Sequence, residues 1–131
     1  MLKCLTGLQP WLQTIQLLLK FTIMKQHFFI RDKSIVYKIN FDDIILIEGT
    51  LNYCKIHTAN NQFTTLSTLK HILETLPPDD FIRVHKSFIV SVKYINKISR
   101  SQVCFESQKC VPIGDTYREN ITTLIEGNML N

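Results

Sequence analysis

The feature that most constrains the fold is a period of two in the hydrophobic pattern, which begins at Phe28 and recurs through the rest of the chain. In the segments SIVYKI and YCKIHT, apolar residues take alternate positions. Successive side chains of a strand point to opposite faces of a sheet, so this pattern predicts half-buried β-strands. Turn residues such as Asp42-Asp43 separate these short segments, which favours antiparallel strands joined by tight connections.

One segment in the middle of the chain has the helical period instead. STLKHILETL is preceded by a strand and followed by Pro77-Pro78, which ends a helix. Ser67 or Thr68 is suited to be the N-cap. The apolar positions that we expect on the buried side of this helix are Leu66, Leu69, Leu73 and Leu76.

A second helix is predicted at the end of the chain, beginning near Asp115. Thr116 and Glu119 have the spacing of a capping box, and Gly127 is a plausible stop. The apolar stripe expected on this helix is formed by Tyr117, Ile121, Leu124 and Ile125.

The first 26 residues form a leader ahead of the domain that we assign to residues 27–131. The segment WLQTIQLLLKFTIM is apolar, but polar residues interrupt it and it is too short to span a bilayer. Its helical spacing of apolar residues, at Trp11, Ile15, Leu18 and Leu19, predicts an amphipathic linker or interface helix. A membrane anchor is the weaker alternative.

Charge is informative through its distribution. The chain has 131 residues, which suggests one domain, and a net charge of +4. Three lysines of the leader account for most of this, so the body has 12 Lys and Arg against 11 Asp and Glu. Between Phe81 and Phe105 there is no acid, and the bases there are Arg83, Lys86, Lys93, Lys97 and Arg100. Such a run is either an ordinary solvated face or a surface that meets a negative partner.

The cysteines and histidines do not indicate a metal site, and we expect no cofactor. The four cysteines form no C-x-x-C pair, and no histidine has ligand spacing to them. If Ser107-Gln108 is the turn of a hairpin, Cys104 and Cys110 point to opposite faces, which disfavours a disulfide. We therefore expect reduced thiols in a cytoplasmic protein.

The motifs expected of common enzymes are also missing from the sequence. There is no Gly-rich phosphate loop and no G-x-S-x-G motif. The carboxylate pairs Asp42-Asp43 and Asp79-Asp80 fit turns. We therefore do not expect an enzyme.

The segment FIRVHKSFIV, residues 81–90, has apolar ends and a polar middle that contains Arg83, His85, Lys86 and Ser87. Burying an unpaired charge is costly, so a packed core does not explain these residues. The segment is either a solvated strand edge or part of a binding surface.

Three blocks of the sequence, in order, give a resemblance to a known family. These are INFDDIILIEGTLNYCKIHT, then LSTLKHILETLPPDDFIRVHKSFIVSVKYINKI, then VPIGDTYRENI. Over about residues 28–125 the chain resembles the LytTR-type DNA-binding domain, the output module of many bacterial response regulators. The resemblance implies a mainly β, elongated antiparallel fold of about ten strands with small helices. It also implies that DNA is met through loops and strand ends.

The resemblance also implies which residues contact DNA. His85, Lys86 and Ser87 match the segment that faces the major groove, where Lys and His can donate to guanine or phosphate. The other implied contacts are Asn52, Cys54 and Lys55 in a second loop, and Thr116 and Arg118 at the start of the last helix. Arg83 shares a side of its strand with His85, so it is either a DNA contact or a partner of a turn aspartate. We expect Asp115 to cap the terminal helix.

By this resemblance, the chain is a cytoplasmic transcriptional regulator of two-component type that binds double-stranded DNA, typically at paired direct repeats. Its further partners would be a second copy on DNA, and a sensor kinase or receiver domain if the chain is part of a longer regulator. The alternative is a β-rich regulatory domain whose basic stretch binds an acidic protein. Binding of single-stranded RNA is a third and weaker hypothesis, because the alternation of Phe28, Phe29 and Phe63 fits a core.

Overall fold

A computed structural model of the chain describes residue 15 and residues 26–130. The predicted leader helix and its apolar residues therefore lie outside the described residues, apart from Ile15, which is helical and exposed. The strands are β1 (His27–Asp32), β2 (Ile35–Asn40), β3 (Ile44–Gly49), β4 (Cys54–Thr58), β5 (Gln62–Thr65), β6 (Phe81–His85), β7 (Phe88–Ser91), β8 (Ile95–Ile98), β9 (Gln102–Phe105) and β10 (Cys110–Pro112). The α-helices within residues 26–130 are α1 (Leu69–Thr75) and α2 (Arg118–Asn128). Short 3-10 helices are formed by Phe41–Asp43, Val92–Tyr94 and Asp115–Tyr117.

The strands form three antiparallel sheets, which confirms the predicted fold class. The central sheet has the order β5-β4-β3-β7-β6. A three-stranded sheet of order β10-β9-β8 and the β1-β2 hairpin complete the β structure of residues 26–130. The central sheet is buried on both faces, because β3 and β7 each contribute residues to two different hydrophobic clusters. This burial explains the unbroken apolar run of β3.

The β1-β2 hairpin and α1 cover one face of the central sheet. Ile47 and Ile89 of the sheet pack with Ile72 and Leu76 in the hydrophobic cluster on this face. Thr68 is the N-cap of α1, and its Oγ1 accepts a hydrogen bond from the His71 backbone N–H. The prediction for Leu66 is wrong, because this residue precedes the helix and is 83% exposed.

The three-stranded sheet and α2 cover the opposite face, where Leu46 and Val90 of the central sheet meet Val103 and Ile121. The predicted capping box of α2 is wrong. A 3-10 turn precedes the helix, so α2 begins at Arg118 and has no side-chain cap. The predicted stop at Gly127 is one residue early, since α2 continues to Asn128.

The expectation of reduced thiols at Cys104 and Cys110 is wrong, because these two residues form a disulfide. They are directly opposite each other in β9 and β10, with Cα atoms 4.1 Å apart. A two-residue turn at Ser107-Gln108 would have put the two cysteines on opposite faces. The turn instead has three residues, 106–108, with Gln108 at a φ of 69°. The Phe105 backbone N–H donates a hydrogen bond to the Lys109 carbonyl oxygen across this turn. One extra residue shifts the register and brings both cysteines to the same face.

Among the described residues, no helix is long and apolar enough to cross a membrane.

Candidate nucleic-acid interface

The polar middle of FIRVHKSFIV forms the turn between β6 and β7. His85 and Phe88 are cross-strand partners, so Lys86 and Ser87 occupy the turn itself. Lys86 is exposed. The Ser87 backbone N–H donates a hydrogen bond to His85 Nδ1 at 3.1 Å. Since Nδ1 is an acceptor, the neutral imidazole carries its proton on Nε2 and presents a donor there.

Arg83 donates two side-chain hydrogen bonds to the backbone of this turn. Its Nε donates to the carbonyl oxygen of His85 at 3.2 Å, and its Nη2 donates to that of Lys86 at 2.6 Å. The suggested ion pair with a turn aspartate is wrong, since the acids paired in the described part of the chain are Glu48, Asp42 and Asp115, with other partners. The guanidinium is directed to backbone carbonyls.

The β3-β4 loop, residues 50–53, lies beside the turn. The Gly49 backbone N–H donates to the Ser87 carbonyl oxygen at 2.8 Å, which joins the end of β3 to the turn. Within the loop, the Thr50 backbone N–H and Oγ1 both donate to the Tyr53 carbonyl oxygen at 2.9 Å. Asn52 is exposed in this loop, and Lys55 follows on β4 with a half-buried side chain.

Cys54 is not available at this surface. It is 1% exposed, and its Sγ donates to the Ser67 carbonyl oxygen at 3.0 Å. Burial raises the pKa of its thiol, with a smaller opposing effect from the charge of Arg83. The prediction of a DNA contact at Cys54 is therefore wrong for this conformation, because the alternation of β4 directs this side chain into the core.

The segment 114–118 approaches the turn from the other side. The Gly114 backbone N–H donates to the Val84 carbonyl oxygen at 2.7 Å, and a Cβ built on Gly114 would lie 3.5 Å from His85 Cα. Thr116 is exposed here, and the Tyr117 ring centroid lies 5.3 Å from Arg83 Cζ. Three segments that are distant in sequence thus meet at one end of the central sheet.

Asp115 and Arg118 pair with each other in this third segment. The Arg118 Nη2 donates to Asp115 Oδ1 at 3.2 Å, and its Nη1 donates to the Arg100 carbonyl oxygen. Asp115 therefore does not cap the helix as predicted, and a neighbouring cation compensates its charge. Both side chains are exposed.

A basic groove of about 580 Å³ lies between the β3-β4 loop, the start of α1 and the β6-β7 turn. The charged side chains that line it are Lys70, Arg83 and Lys86. Lys70 was missed by the sequence argument. The sequence places Lys70 two residues after the N-cap Thr68, in the first turn of α1, and the fold brings this turn of the helix close to the β6-β7 turn.

The acid-free run of the sequence does not form one continuous surface. Lys93 Nζ lies 3.8 Å from Asp42 Oδ1, beside the start of β3, whereas Lys86 lies by the end of the same strand. A six-residue strand is about 20 Å long, so these two lysines are at opposite ends of the central sheet. The positive charge at the turn comes from Lys86 together with Lys70 and Arg83, which line the same groove.

The fold and these converging loops define a β-rich domain in which three segments meet at one end of the central sheet. Comparison with known families gives its class: the LytTr DNA-binding domain family matches residues 34–126. Since this match covers well over half of the chain, the chain belongs to the LytTr family of DNA-binding domains, which occurs in transcriptional regulators.

Two curated relatives come from Bacillus subtilis (strain 168). The chain is 31% identical over 88 residues to the sensory transduction protein LytT, and this match covers 63% of this chain and 36% of that protein. It is 35% identical over 78 residues to the transcriptional regulatory protein NatR, covering 60% of this chain and 34% of that protein. The matched region thus spans about a third of each relative.

A solved structure has the same fold. It is the LytTr DNA-binding domain of a protein described as a methyl-accepting/DNA response regulator from Bacillus cereus. The TM-score is 0.68 with 23% sequence identity, and the match covers 77% of this chain and 97% of that one.

Proposed function

We propose that this domain binds duplex DNA sequence-specifically as the output domain of a bacterial transcriptional regulator. The observation that carries the proposal is the convergence of three segments on the β6-β7 turn, through the hydrogen bonds from Gly49 to Ser87 and from Gly114 to Val84. These bonds preset a surface of exposed donors. A preset surface lowers the entropy that must be lost on binding.

The side chains divide into two proposed roles. His85, through its Nε2 donor, and Lys86, through its ammonium, are suited to the acceptors N7 and O6 of guanine in the major groove. Lys55, Ser87, Thr116 and Arg118 are suited to phosphate oxygens, which position the protein without reading sequence. Asn52 has both a donor and an acceptor, so we assign it to a base edge or a phosphate at the loop tip.

The regulatory context is proposed from the relatives. A response-regulator output domain acts in the cytoplasm and is joined to a receiver domain that a sensor kinase controls. The names of LytT and NatR agree with signal transduction and transcription. The chain spans about a third of the length of those proteins, and we propose a receiver domain and a sensor kinase as its partners.

We further propose that two copies bind paired direct repeats, with the apolar stripe of the leader as a contact between them. A chain starting near His27 should then bind a single half-site as the full chain does. It should bind a tandem site on the order of a hundredfold more weakly than the full chain, because the second contact loses its effective concentration. Equal binding of both chains to a tandem site would contradict the contact.

The test of DNA binding is a selection from a random duplex library, followed by affinity measurements across salt concentrations. Each neutralised phosphate should contribute about −0.9 to the slope of log K against log salt, and we expect roughly three to six such contacts per domain. Failure to enrich any duplex, together with an affinity independent of salt, would overturn the proposal. Capture of an acidic protein, displaced by no duplex, would favour the interaction domain instead.

A further inference from the structure

Arg83 is half-buried and has interactions on three sides, all within the domain. Its Nε and Nη2 donate to the carbonyl oxygens of His85 and Lys86. Its Cζ lies over the ring of Tyr117. Its own carbonyl oxygen accepts a hydrogen bond from Asn120 Nδ2 at 3.0 Å. Arg83 therefore contacts both the β6-β7 turn and the segment that opens α2.

The chemistry of these contacts matches a guanidinium and no other side chain. A guanidinium is a rigid planar fork whose neighbouring N–H groups can satisfy two acceptors at once, and it also stacks on aromatic rings. A lysine ammonium is a single point charge on a flexible stem, so it would not reproduce the planar geometry that satisfies both carbonyls and the ring.

The two carbonyls that Arg83 binds belong to the residues proposed to read bases. Fixing the carbonyl oxygens of His85 and Lys86 fixes the peptide planes of the turn, and hence the directions of their side chains. The other bonds of the turn, from Ser87 to His85 Nδ1 and from Gly49 to the Ser87 carbonyl, depend on the same conformation.

We infer that Arg83 is a positioning residue, which presets the 85–87 turn and locks it to Tyr117 so that His85 and Lys86 can read bases together. This inference rests on the proposed function, and it replaces the direct DNA contact expected of Arg83 from the sequence. Arg83 thereby acts on base discrimination through neighbours.

The test compares Arg83→Gln, Arg83→Lys, Lys86→Ala and the double variant of Arg83→Gln with Lys86→Ala. Arg31→Gln is the matched control, because it removes the same charge from an exposed position on β1. Affinity is measured for the best duplex from the selection and for a shuffled duplex of the same length.

For a positioning residue, Arg83→Gln and Arg83→Lys should both weaken binding to the best duplex about tenfold, which is within the range expected for one base-reading contact. Their binding to the shuffled duplex should change no more than that of Arg31→Gln. Lys86→Ala should cost clearly less on the Arg83→Gln background than alone, because the two residues act as a unit.

A phosphate contact would give the opposite pattern: Arg83→Lys close to the native protein, both duplexes weakened equally, and additive effects with Lys86→Ala. That pattern would overturn the inference and leave the proposed function intact. If the native protein itself shows no preference between the two duplexes, it is the proposed function that fails.

Hydrogen exchange of the free protein separates positioning from general destabilisation. In Arg83→Gln, the amide protons of Ser87 and Gly49 should exchange faster, while that of Ile47 within β3 should keep its native rate. Equal acceleration at all three amides would mean that Arg83 merely stabilises the fold, and would overturn the inference.

Discussion

The backbone N–H of Gly49 donates a hydrogen bond to the carbonyl oxygen of Ser87 across 2.8 Å, and this bond holds the end of β3 against the β6-β7 turn. The two residues are distant in sequence. Gly49 is the last residue of β3 and Ser87 follows β6, and both lie at the same end of the central sheet. The bond connects the packing of the core to the proposed DNA surface, because Gly49 also lies against the first residue of α1.

Replacing Gly49 should therefore disturb both stability and binding. A Cβ at this position would lie 2.6 Å from Leu69 Cγ and 2.7 Å from Leu69 Cδ1. Leu69 is 5% exposed and has little room to move, so Gly49→Ala should lower the free energy of unfolding by about 1–3 kcal/mol, as overpacking does. Urea unfolding measures this change.

Gly127 provides the control for that substitution. It lies in α2, and a Cβ there would meet nothing within 4 Å. Gly127→Ala should raise the free energy of unfolding by up to about 1 kcal/mol, since alanine favours the helix. If Gly49→Ala is as stable as Gly127→Ala, the close contact with Leu69 is not as we describe it.

Substitutions at Lys86 and Lys55 should distinguish residues that read bases from residues that contact phosphates. Lys86→Ala or His85→Ala should cost about 1–3 kcal/mol on the best duplex and relax its sequence preference. Lys55→Ala should weaken all duplexes nearly equally. Fluorescence anisotropy with the best duplex and single-base variants of it measures both effects.

The stability of these variants is their control. Lys86 is exposed and Lys55 is half-buried on β4, so their melting should change little, within roughly 0.5 kcal/mol. Unfolding caused by Lys86→Ala would show that the residue is structural. A loss of preference in Lys55→Ala would assign base reading to β4.

The sequence was a good guide wherever the signal is local. The period of two in β2 and β4 predicted strands because alternation depends on adjacent residues alone. The Thr68 cap and the end of α1 before Pro77 were recognisable for the same reason. The family resemblance identified the His85–Ser87 segment, and the structure places it at the β6-β7 turn, where Lys86 is exposed.

The sequence was a poor guide wherever the outcome depends on register or on distant contacts. The disulfide of Cys104 and Cys110 depends on whether their turn has two residues or three, which neither strand specifies. The basic run appeared continuous, although β7 carries its members to opposite ends of the sheet. Arg83 could not be assigned, because its partners are backbone carbonyls, and these have no sequence signature.

The disulfide itself should contribute measurably to stability. It closes a short loop, with a sequence separation of 6, so the chain-entropy estimate is about 2 kcal/mol. A reducing agent should therefore lower the urea midpoint of the native chain. The double variant Cys104→Ala with Cys110→Ala should show no response to the reducing agent. An identical midpoint for the native chain with and without the reducing agent would contradict the disulfide.

Acidification should destabilise the domain through His57, which lies on β4 with Nε2 3.4 Å from Glu48 Oε1. This nitrogen is buried and not aligned to form a hydrogen bond. Burial lowers the pKa of His57 below its ordinary value of 6.5, and the charge of Lys109 lowers it further, against the opposing effect of Glu48.

The sign of the effect follows from this lowered pKa. As pH falls below about 6.5, the unfolded chain takes up a proton at His57 before the folded chain does, so the free energy of unfolding decreases. The contribution of His57 is complete above that pH and is lost progressively toward the lower pKa of the folded state.

Urea unfolding from pH 7.5 to pH 5 should show a declining midpoint, with a shallower decline in His57→Gln. His71→Gln is the matched control for removing an imidazole, since His71 is exposed on α1. Equal declines in the native chain and in His57→Gln would exclude His57 as the group responsible.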